Sequence, residues 1–416
     1  MRSTWFFSGL LCTALVAAPS LAFAQDDPEP GQALTWSDIL GSDSTFEIYG
    51  FLRLDTYFDD SRFNDPLIPF AVLSEDGAPP GGVPGGTVAD EDDSEFDLSA
   101  RLTRLGFRFH KPEPIDGLGG PRLDGVIEVD FYNIGLGDSD SRNALRMRLA
   151  YLTLSWQKWS LLAGQDWDVI SPLYPAVNAD LVMWGAGNTG DRRPQITVKN
   201  EHGIGDGKLI SEFGIALTGA VGGTTVEGGL KSGEDSGRPM VHARVGYHGK
   251  TDAGGAYQLG VWGHNSEEDF DATGAGKETY DSNSLGIDFR APIVADDVWV
   301  LGEWWTGENL RDIRGGILQG VNPTTGDEIE AEGGFLELGW KATEHCSLHA
   351  GYSYDDPDDG DLDSFQRSKN SVPYVAARWR YGDLRMGLEY LSWTTDYIGL
   401  DSGDANRVVG YIAYYF

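Results

Sequence analysis

Runs of about ten residues in which apolar and polar side chains alternate recur along most of the chain, a pattern shared by membrane-crossing strands and by the strands of soluble sandwiches. Between residues 104 and 109, for example, Leu105, Phe107 and Phe109 alternate with Arg104 and Arg108. The same pattern recurs in 241–248 and 375–381. A period of two is typical of β-strands that have one apolar and one polar face. The sequence therefore predicts an all-β protein.

The links between the predicted strands distinguish a membrane barrel from a soluble sandwich, because they are alternately short and long. Outer-membrane barrels combine short periplasmic turns with long external loops. We therefore predict a transmembrane antiparallel β-barrel of sixteen strands, with eighteen as the alternative count. The predicted strands are 46–58, 98–110, 122–132, 143–156, 158–166, 190–200, 208–219, 238–248, 255–265, 281–290, 296–307, 331–341, 345–354, 371–381, 383–394 and 404–416.

Composition excludes several other classes of protein. The 416 residues include 65 acidic and 31 basic side chains, and the net charge of −34 argues against a nucleic-acid partner. Aromatic residues make up 12% of the chain, which is too many for a disordered segment. Beyond the N-terminus no stretch approaches 18 uncharged apolar residues, so no transmembrane helix is predicted.

The N-terminus has the features of an export signal. Arg2 precedes an apolar run over residues 5–18, and Ala22 and Ala24 form an Ala-x-Ala cleavage site. We predict a signal peptide over 1–24, a short periplasmic lead-in over 25–45 and the barrel over 46–416. Together with the terminal Phe416, these features predict the outer membrane of a Gram-negative-type envelope. Cys346 is the one cysteine left after cleavage, so no disulfide is expected.

If the apolar face of each strand meets lipid, the polar face lines a water-filled lumen. Charged rings in a pore select ions by sign, and arginine suits carboxylate and phosphate groups. An alternative is that the lumen arginines pair with lumen carboxylates and stiffen the wall, and the two roles are compatible. The predicted pore-lining residues are Arg53, Arg104, Arg108, Arg146, Arg148, Arg244, Arg290, Arg378, Arg380 and Arg385.

Two of the long loops differ sharply in composition. The loop 167–189 is mostly apolar, so we predict that it packs against the lumen wall and narrows the pore, with a subunit contact as the alternative. By contrast, 59–97 is acidic and is predicted to be a mobile, solvated loop. The predicted constriction residues are Trp167, Asp168, Tyr174, Asp180 and Trp184.

The sequence predicts no catalytic residues, metal site or cofactor. The seven histidines show no Ser-His-acid pattern by spacing alone. In the acidic loop 355–370, Pro357 takes a ligand position of an EF-hand and Gln366 replaces its closing glutamate. A barrel enzyme of the outer membrane and a secreted β-sheet adhesin are the alternative functions.

Several motifs resemble the DcaP-like family of outer-membrane porins. They lie at 49–55, 144–152, 162–173 and 187–195, in the first half of the predicted barrel. The resemblance implies a trimeric sixteen-stranded channel for small organic anions such as dicarboxylates. Residues 25–45 are too short and lack the heptads of the family's periplasmic coiled coil, so a homotrimer is expected to form through the barrel walls.

These observations together predict a porin that lets small hydrophilic solutes diffuse passively across the outer membrane and favours small organic anions. Its expected partners are the lipid bilayer, outer-membrane lipids and small anionic solutes, and no nucleic acid.

Overall fold

The computed structural model describes residues 44–65, 69–76, 94–133, 143–177, 182–224, 226, 230–270 and 278–416. The predicted signal peptide 1–24 and residues 25–43 of the predicted lead-in 25–45 lie outside these residues. Within the described residues, no helix is both long and apolar enough to span a membrane. The strands are β1 (Thr45–Asp59), β2 (Glu95–Ser99), β3 (Arg104–Lys111), β4 (Arg122–Asn133), β5 (Ala144–Ser155), β6 (Trp159–Trp167), β7 (Arg192–Ile204), β8 (Gly207–Ala216), β9 (Met240–Lys250), β10 (Ala256–Asp269), β11 (Thr279–Val294), β12 (Val298–Glu308), β13 (Glu330–Lys341), β14 (Cys346–Pro357), β15 (Arg367–Tyr381), β16 (Leu384–Tyr397) and β17 (Leu400–Tyr415).

These segments form one antiparallel sheet that closes on itself, because β1 pairs with β17 as well as with β2 and β3. The segments β2 and β3 pair with successive parts of β1 and together make one barrel strand, interrupted at 100–103. Gly50 and Phe416 complete the closure through two backbone hydrogen bonds, each 3.1 Å long. The prediction of a sixteen-stranded barrel is therefore confirmed, and the closed sheet leaves no open edge.

Each predicted strand is found, but several strands are longer than predicted at the end that bears the long loops. The predicted strand 255–265 extends to Asp269, and the predicted strand 404–416 begins at Leu400. In these extensions both faces are largely polar, so the alternation that identified the strands is lost there. The barrel wall therefore continues beyond the apolar band.

The two faces of the wall have opposite character. Leu52, Ile127 and Leu285 are exposed on the outside, whereas Asp55 and Asp288 are buried on the inside. An apolar outer band and a polar interior are what a barrel in a lipid bilayer requires.

Glycines on the inner face receive aromatic rings from the neighbouring strand. A Cβ atom added to Gly387 would lie 2.2 Å from Cε1 of Tyr411, and one added to Gly106 would lie 2.2 Å from Cζ of Tyr49. The rings therefore lie flat on the sheet, which accounts for part of the high glycine content. Further examples are Gly286 under Trp262, Gly333 under Trp305 and Gly339 under Trp299.

Candidate functional site

The ten predicted pore-lining arginines all lie on the inward face of their strands. Seven of them contact carboxylates, so the predicted pairing with the wall applies to these seven. The pairs and their shortest N–O distances are Arg53–Asp55 at 2.9 Å, Arg104–Glu128 at 3.5 Å, Arg108–Glu47 at 3.6 Å, Arg146–Asp130 at 2.7 Å, Arg148–Glu128 at 2.9 Å, Arg244–Asp288 at 2.7 Å and Arg378–Glu389.

Two of the pairs on β3 to β5, Arg104–Glu128 and Arg146–Asp130, share an orientation in which the arginine is more exposed to the open interior than its carboxylate. In Arg148–Glu128 the two side chains are about equally buried, and in Arg108–Glu47 the carboxylate is the more exposed partner. The Arg146 side chain is 30% exposed and Asp130 is fully buried. The Arg104 side chain is 25% exposed, against 7% for Glu128. At these two pairs the wall therefore presents mainly guanidinium groups to the interior, although each pair is close to neutral.

The remaining three arginines lie towards the end of the barrel that has the short turns. No ion pair with a carboxylate is found for them within the described part of the chain. The Arg290 guanidinium lies 4.8 Å from the centre of the Trp299 ring, and that of Arg385 lies 3.6 Å from the Tyr415 ring. Arg380 is exposed and its Nε donates to the carbonyl oxygen of Gly382 at 3.4 Å.

The loop between β6 and β7, here called L3 (168–191), is held by carboxylates of the opposite wall. Glu303 on β12 accepts hydrogen bonds from the Ser171 hydroxyl and from the backbone N–H of Leu173, the latter at 2.6 Å. Glu337 on β13 accepts from the backbone N–H of Ala176 at 2.5 Å. These inward carboxylates therefore satisfy backbone donors that an inserted loop would otherwise leave unpaired.

Further along L3, the backbone carbonyls also bind the far wall. The Trp305 Nε1–H donates to the carbonyl of Gly187 at 2.8 Å, and the Asn370 amide donates to that of Gly185 at 2.6 Å. Ser353 donates to the carbonyl of Ala186. Because L3 starts and ends at β6 and β7 and contacts β12 to β15, it extends across the interior.

The predicted constriction residues have different positions in L3. The rings of Trp167 and Tyr174 lie 5.4 Å apart, and Tyr174 is 38% exposed. Asp168 and Trp184 are buried, so they hold the loop in place and do not face open space. Asp180 lies outside the described residues.

Two further loops fold into the barrel, and the sequence analysis did not predict this. In L1 (60–94), Phe63 and Val72 are buried in a cluster with Trp393 of β16. In L6 (309–329), Leu310 and Ile313 are buried with Trp305 of β12. The prediction of a mobile, solvated 59–97 segment is therefore wrong for 60–65 and 69–74, and 66–68 and 77–93 lie outside the described residues. The apolar run 69–73 could have indicated that this part of the loop packs against the barrel.

One buried guanidinium connects three loops, L3, L6 and the loop between β8 and β9. Arg193, at the start of β7, has a fully buried side chain that pairs with Asp168 of L3 at 2.8 Å and with Asp312 of L6. It also donates to the backbone carbonyls of Asp312 at 2.8 Å and Leu217 at 3.2 Å. Asp312 in turn accepts three backbone N–H groups of L4 (217–239), each at 2.9 Å, from Gly219, Val221 and Gly222.

A second ion pair connects the end of L3 to L6. Both Nε and Nη2 of Arg314 donate to Oδ2 of Asp191, at 3.0 and 2.9 Å. Burial alone would raise the pKa of Asp191, but Arg314 and Arg192 outweigh it and hold this pKa below its ordinary value. In contrast, burial raises the pKa of Asp168 to about 6, against the opposing effect of Arg193. Asp191 is therefore the carboxylate that remains ionised to lower pH.

The structure also brings together a serine, a histidine and a glutamate. The Ser347 hydroxyl lies 2.9 Å from Nε2 of His349, whose Nδ1 lies 2.9 Å from Glu337. The sequence spacing gave no indication of this chain, since Glu337 belongs to the neighbouring strand. Glu337 also accepts from the Tyr374 hydroxyl at 2.9 Å and from L3, so its carboxylate is part of the support of the loop.

No family model and no curated protein sequence matches this chain. Among solved structures, it is similar to the outer membrane channel DcaP of Acinetobacter baumannii, with 18% identity, a TM-score of 0.67, and coverage of 90% of this chain and 97% of that one. It is also similar to an anion-selective porin from Comamonas acidovorans, with 12% identity, a TM-score of 0.55 and coverage of 90% and 100%. The trimer form of OmpT, an outer membrane protein of Vibrio cholerae, has 13% identity, a TM-score of 0.52 and coverage of 90% and 99%.

At these identities the comparisons concern the fold. The fold is that of outer-membrane porins, as the resemblance to DcaP-like porins predicted. It agrees with the predicted location in the outer membrane.

Proposed function

We propose that the protein is an outer-membrane porin through which small hydrophilic solutes diffuse passively, with a preference for small organic anions such as dicarboxylates. The observation that carries the preference is the orientation of the pairs Arg104–Glu128 and Arg146–Asp130, in which the guanidinium is more exposed to the open interior than the carboxylate. A permeating anion thus meets the positive end of these two pairs first. The separate ion pair between Arg314 and Asp191 has the same orientation, because the Arg314 side chain is 24% exposed and the Asp191 side chain 6%.

The inserted loops would narrow the pore, so that a permeating ion passes close to these charges. Tyr174 and Trp167 of the L3 region lie close to Arg192, whose guanidinium is 4.7 Å from the Trp167 ring. In a narrow, partly dehydrated passage the interaction between an ion and a fixed charge is stronger than in bulk water. We propose that solutes pass between L3 and the arginines of β3 and β5.

The assembly we propose is a homotrimer in contact through the barrel walls. Support comes from the similarity of the fold to the trimer form of OmpT and from the apolar outer face of the barrel. The rest of the outer face would contact the bilayer and the outer-membrane lipids.

The proposal is tested in planar bilayers by measuring the reversal potential under a salt gradient. We expect a reversal potential that indicates chloride preference, and a smaller preference after Arg104→Gln with Arg146→Gln. The matched control is Arg238→Gln, which removes a cation from an exposed pair with Glu267. A protein that inserts without conductance would refute the channel, and a cation-selective wild type would refute the argument from the ion pairs.

A hydrolytic enzyme is a second candidate function, favoured by the chain from Ser347 through His349 to Glu337. Such a chain activates a serine towards esters when donors for the oxyanion are also in place. A passive channel needs no covalent chemistry, and we propose that the protein is not an enzyme. Labelling of the wild type, but not of Ser347→Ala, by a fluorophosphonate would favour the enzyme.

A further inference from the structure

A cavity of about 300 Å³ opens at the short-turn end of the barrel. One of its lining residues, Arg378, also contacts L3, because its Nη2 donates to the carbonyl oxygen of Ala176. Lys341, Arg378, Arg380 and Arg385 line it, together with Ser347 and Tyr411. The cavity also borders Glu344, but that side chain is 83% exposed and lies 3.1 Å from His345. The wall of this cavity therefore carries an excess of positive charge.

The strand register brings two of these cations directly together. Arg380 on β15 and Arg385 on β16 are cross-strand partners, and both point inward. Like charges at directly opposite positions destabilise a sheet. Two inward carboxylates further along the sheet have other partners, because Glu389 binds Arg378 and Glu337 binds His349. Asp383 lies in the turn between the two arginines, but it is exposed and forms no ion pair with either of them within the described residues.

One hydrogen-bond donor of the cavity also has no acceptor. Nε of Arg385 is buried and has no hydrogen-bond partner, while its guanidinium is held against the Tyr415 ring. A buried charged donor without a partner costs free energy. An unfavourable arrangement of this kind that the fold maintains often marks a functional site.

We propose that this cavity is a binding site for an oxyanion with two or more negative charges, such as a di- or tricarboxylate or a phosphate compound. The inference rests on the proposed porin function and adds a site at the short-turn end of the path. The register places Ser347 directly between Lys341 and Arg378, as the cross-strand partner of both. Two planar guanidinium groups, an ammonium group and a hydroxyl suit such a ligand.

The test measures block of single-channel chloride current by pyrophosphate and by citrate, each added to one side of the bilayer at a time. We expect both anions to block, more strongly from the short-turn side. In Arg380→Gln/Arg385→Gln the concentration for half-block should rise by at least about tenfold, because charged hydrogen bonds are lost. The matched control, Lys158→Gln/Lys208→Gln, removes two exposed cations from the same end outside the cavity and should keep the block.

The outcomes separate this inference from the proposed function. A wild type that conducts chloride but shows the same block with and without both arginines would overturn the site and leave the porin intact. A wild type without conductance would overturn both. Block that depends on the arginines and occurs from either side supports a site for solutes in transit, and block from the short-turn side alone supports one for periplasmic anions. Heat-modified gel mobility checks that each variant forms the barrel.

Discussion

Replacement of Arg193 by methionine should release the inserted loops while the barrel remains closed. The Arg193 side chain is fully buried and bridges Asp168 and Asp312, which belong to L3 and L6. The variant would leave both buried carboxylates without their cation. Removing one partner of a buried ion pair costs about 3–5 kcal/mol, which corresponds to an increase of roughly two to three and a half orders of magnitude in the undocked fraction of the loops.

The structure indicates where this loss of free energy should act. Arg193 contacts loop residues and the start of L4 through Leu217, whereas the strands pair through their own backbone hydrogen bonds. We therefore expect Arg193→Met to show faster proteolysis within L3 or L6 and noisier single-channel current. Lysine at this position should restore protection only in part, because an ammonium group cannot reproduce the fork of bonds to two carboxylates and two carbonyls.

Arg244→Met provides the matched control. Arg244 is also buried and binds Asp288 through two hydrogen bonds of 2.8 and 2.7 Å, but it joins β9 to β11 and no loop. This variant should lower barrel stability without increasing cleavage of L3 or L6. If Arg193→Met were as protected as the wild type, or if Arg244→Met released the loops equally, the assignment of Arg193 to loop docking would be wrong.

Two further predictions concern the same loops. In Asp191→Asn the loss of loop protection relative to wild type should be constant from pH 8 to 5 and should shrink progressively as pH falls below about 4. The reason is that a lowered pKa gives a contribution that is present above the ordinary Asp value and is lost as pH falls through the lower folded value. The titration of Asp168 near pH 6 should largely cancel in this difference, and a difference that vanished at pH 6 would contradict the assignment. Gly187→Ala should displace L3 from the far wall, because φ of Gly187 is 112° and the added Cβ would lie 2.4 Å from the carbonyl oxygen of Gly334. Single-channel current noise measures this displacement. The control is Gly203→Ala, whose added Cβ meets no atom within 4 Å and which should resemble wild type.

The barrel was predictable because the environment acts on each strand separately. A strand between lipid and lumen must alternate, so residues such as Leu105 and Arg104 reveal their faces without knowledge of the neighbours. The closure of the sheet also follows, since an open edge in a membrane would leave backbone groups unpaired. Strand ends were less accurate because the extensions beyond the apolar band carry polar residues on both faces.

The arrangement of the loops was not predictable in the same way, because it depends on contacts between distant positions. Asp168 was assigned to the pore, but Arg193, which follows 25 residues later, buries it. Glu303 and Glu337 are inward-facing carboxylates, yet they hold the backbone of L3. The pattern of a single strand cannot indicate which inward carboxylate meets water and which meets a loop.

The charge of −34 therefore has little bearing on which ions pass through the lumen. An ion in the lumen responds mainly to nearby exposed charges, because those further away are screened over roughly 8–10 Å in salt solution. In the pair of Arg146 and Asp130, the nitrogen and oxygen are 2.7 Å apart and the guanidinium is on the open side. Such a pair contributes no net charge, but it acts as a dipole with its positive end towards the solute. Selectivity for anions can thus arise in an acidic protein, provided that its carboxylates are buried behind arginines.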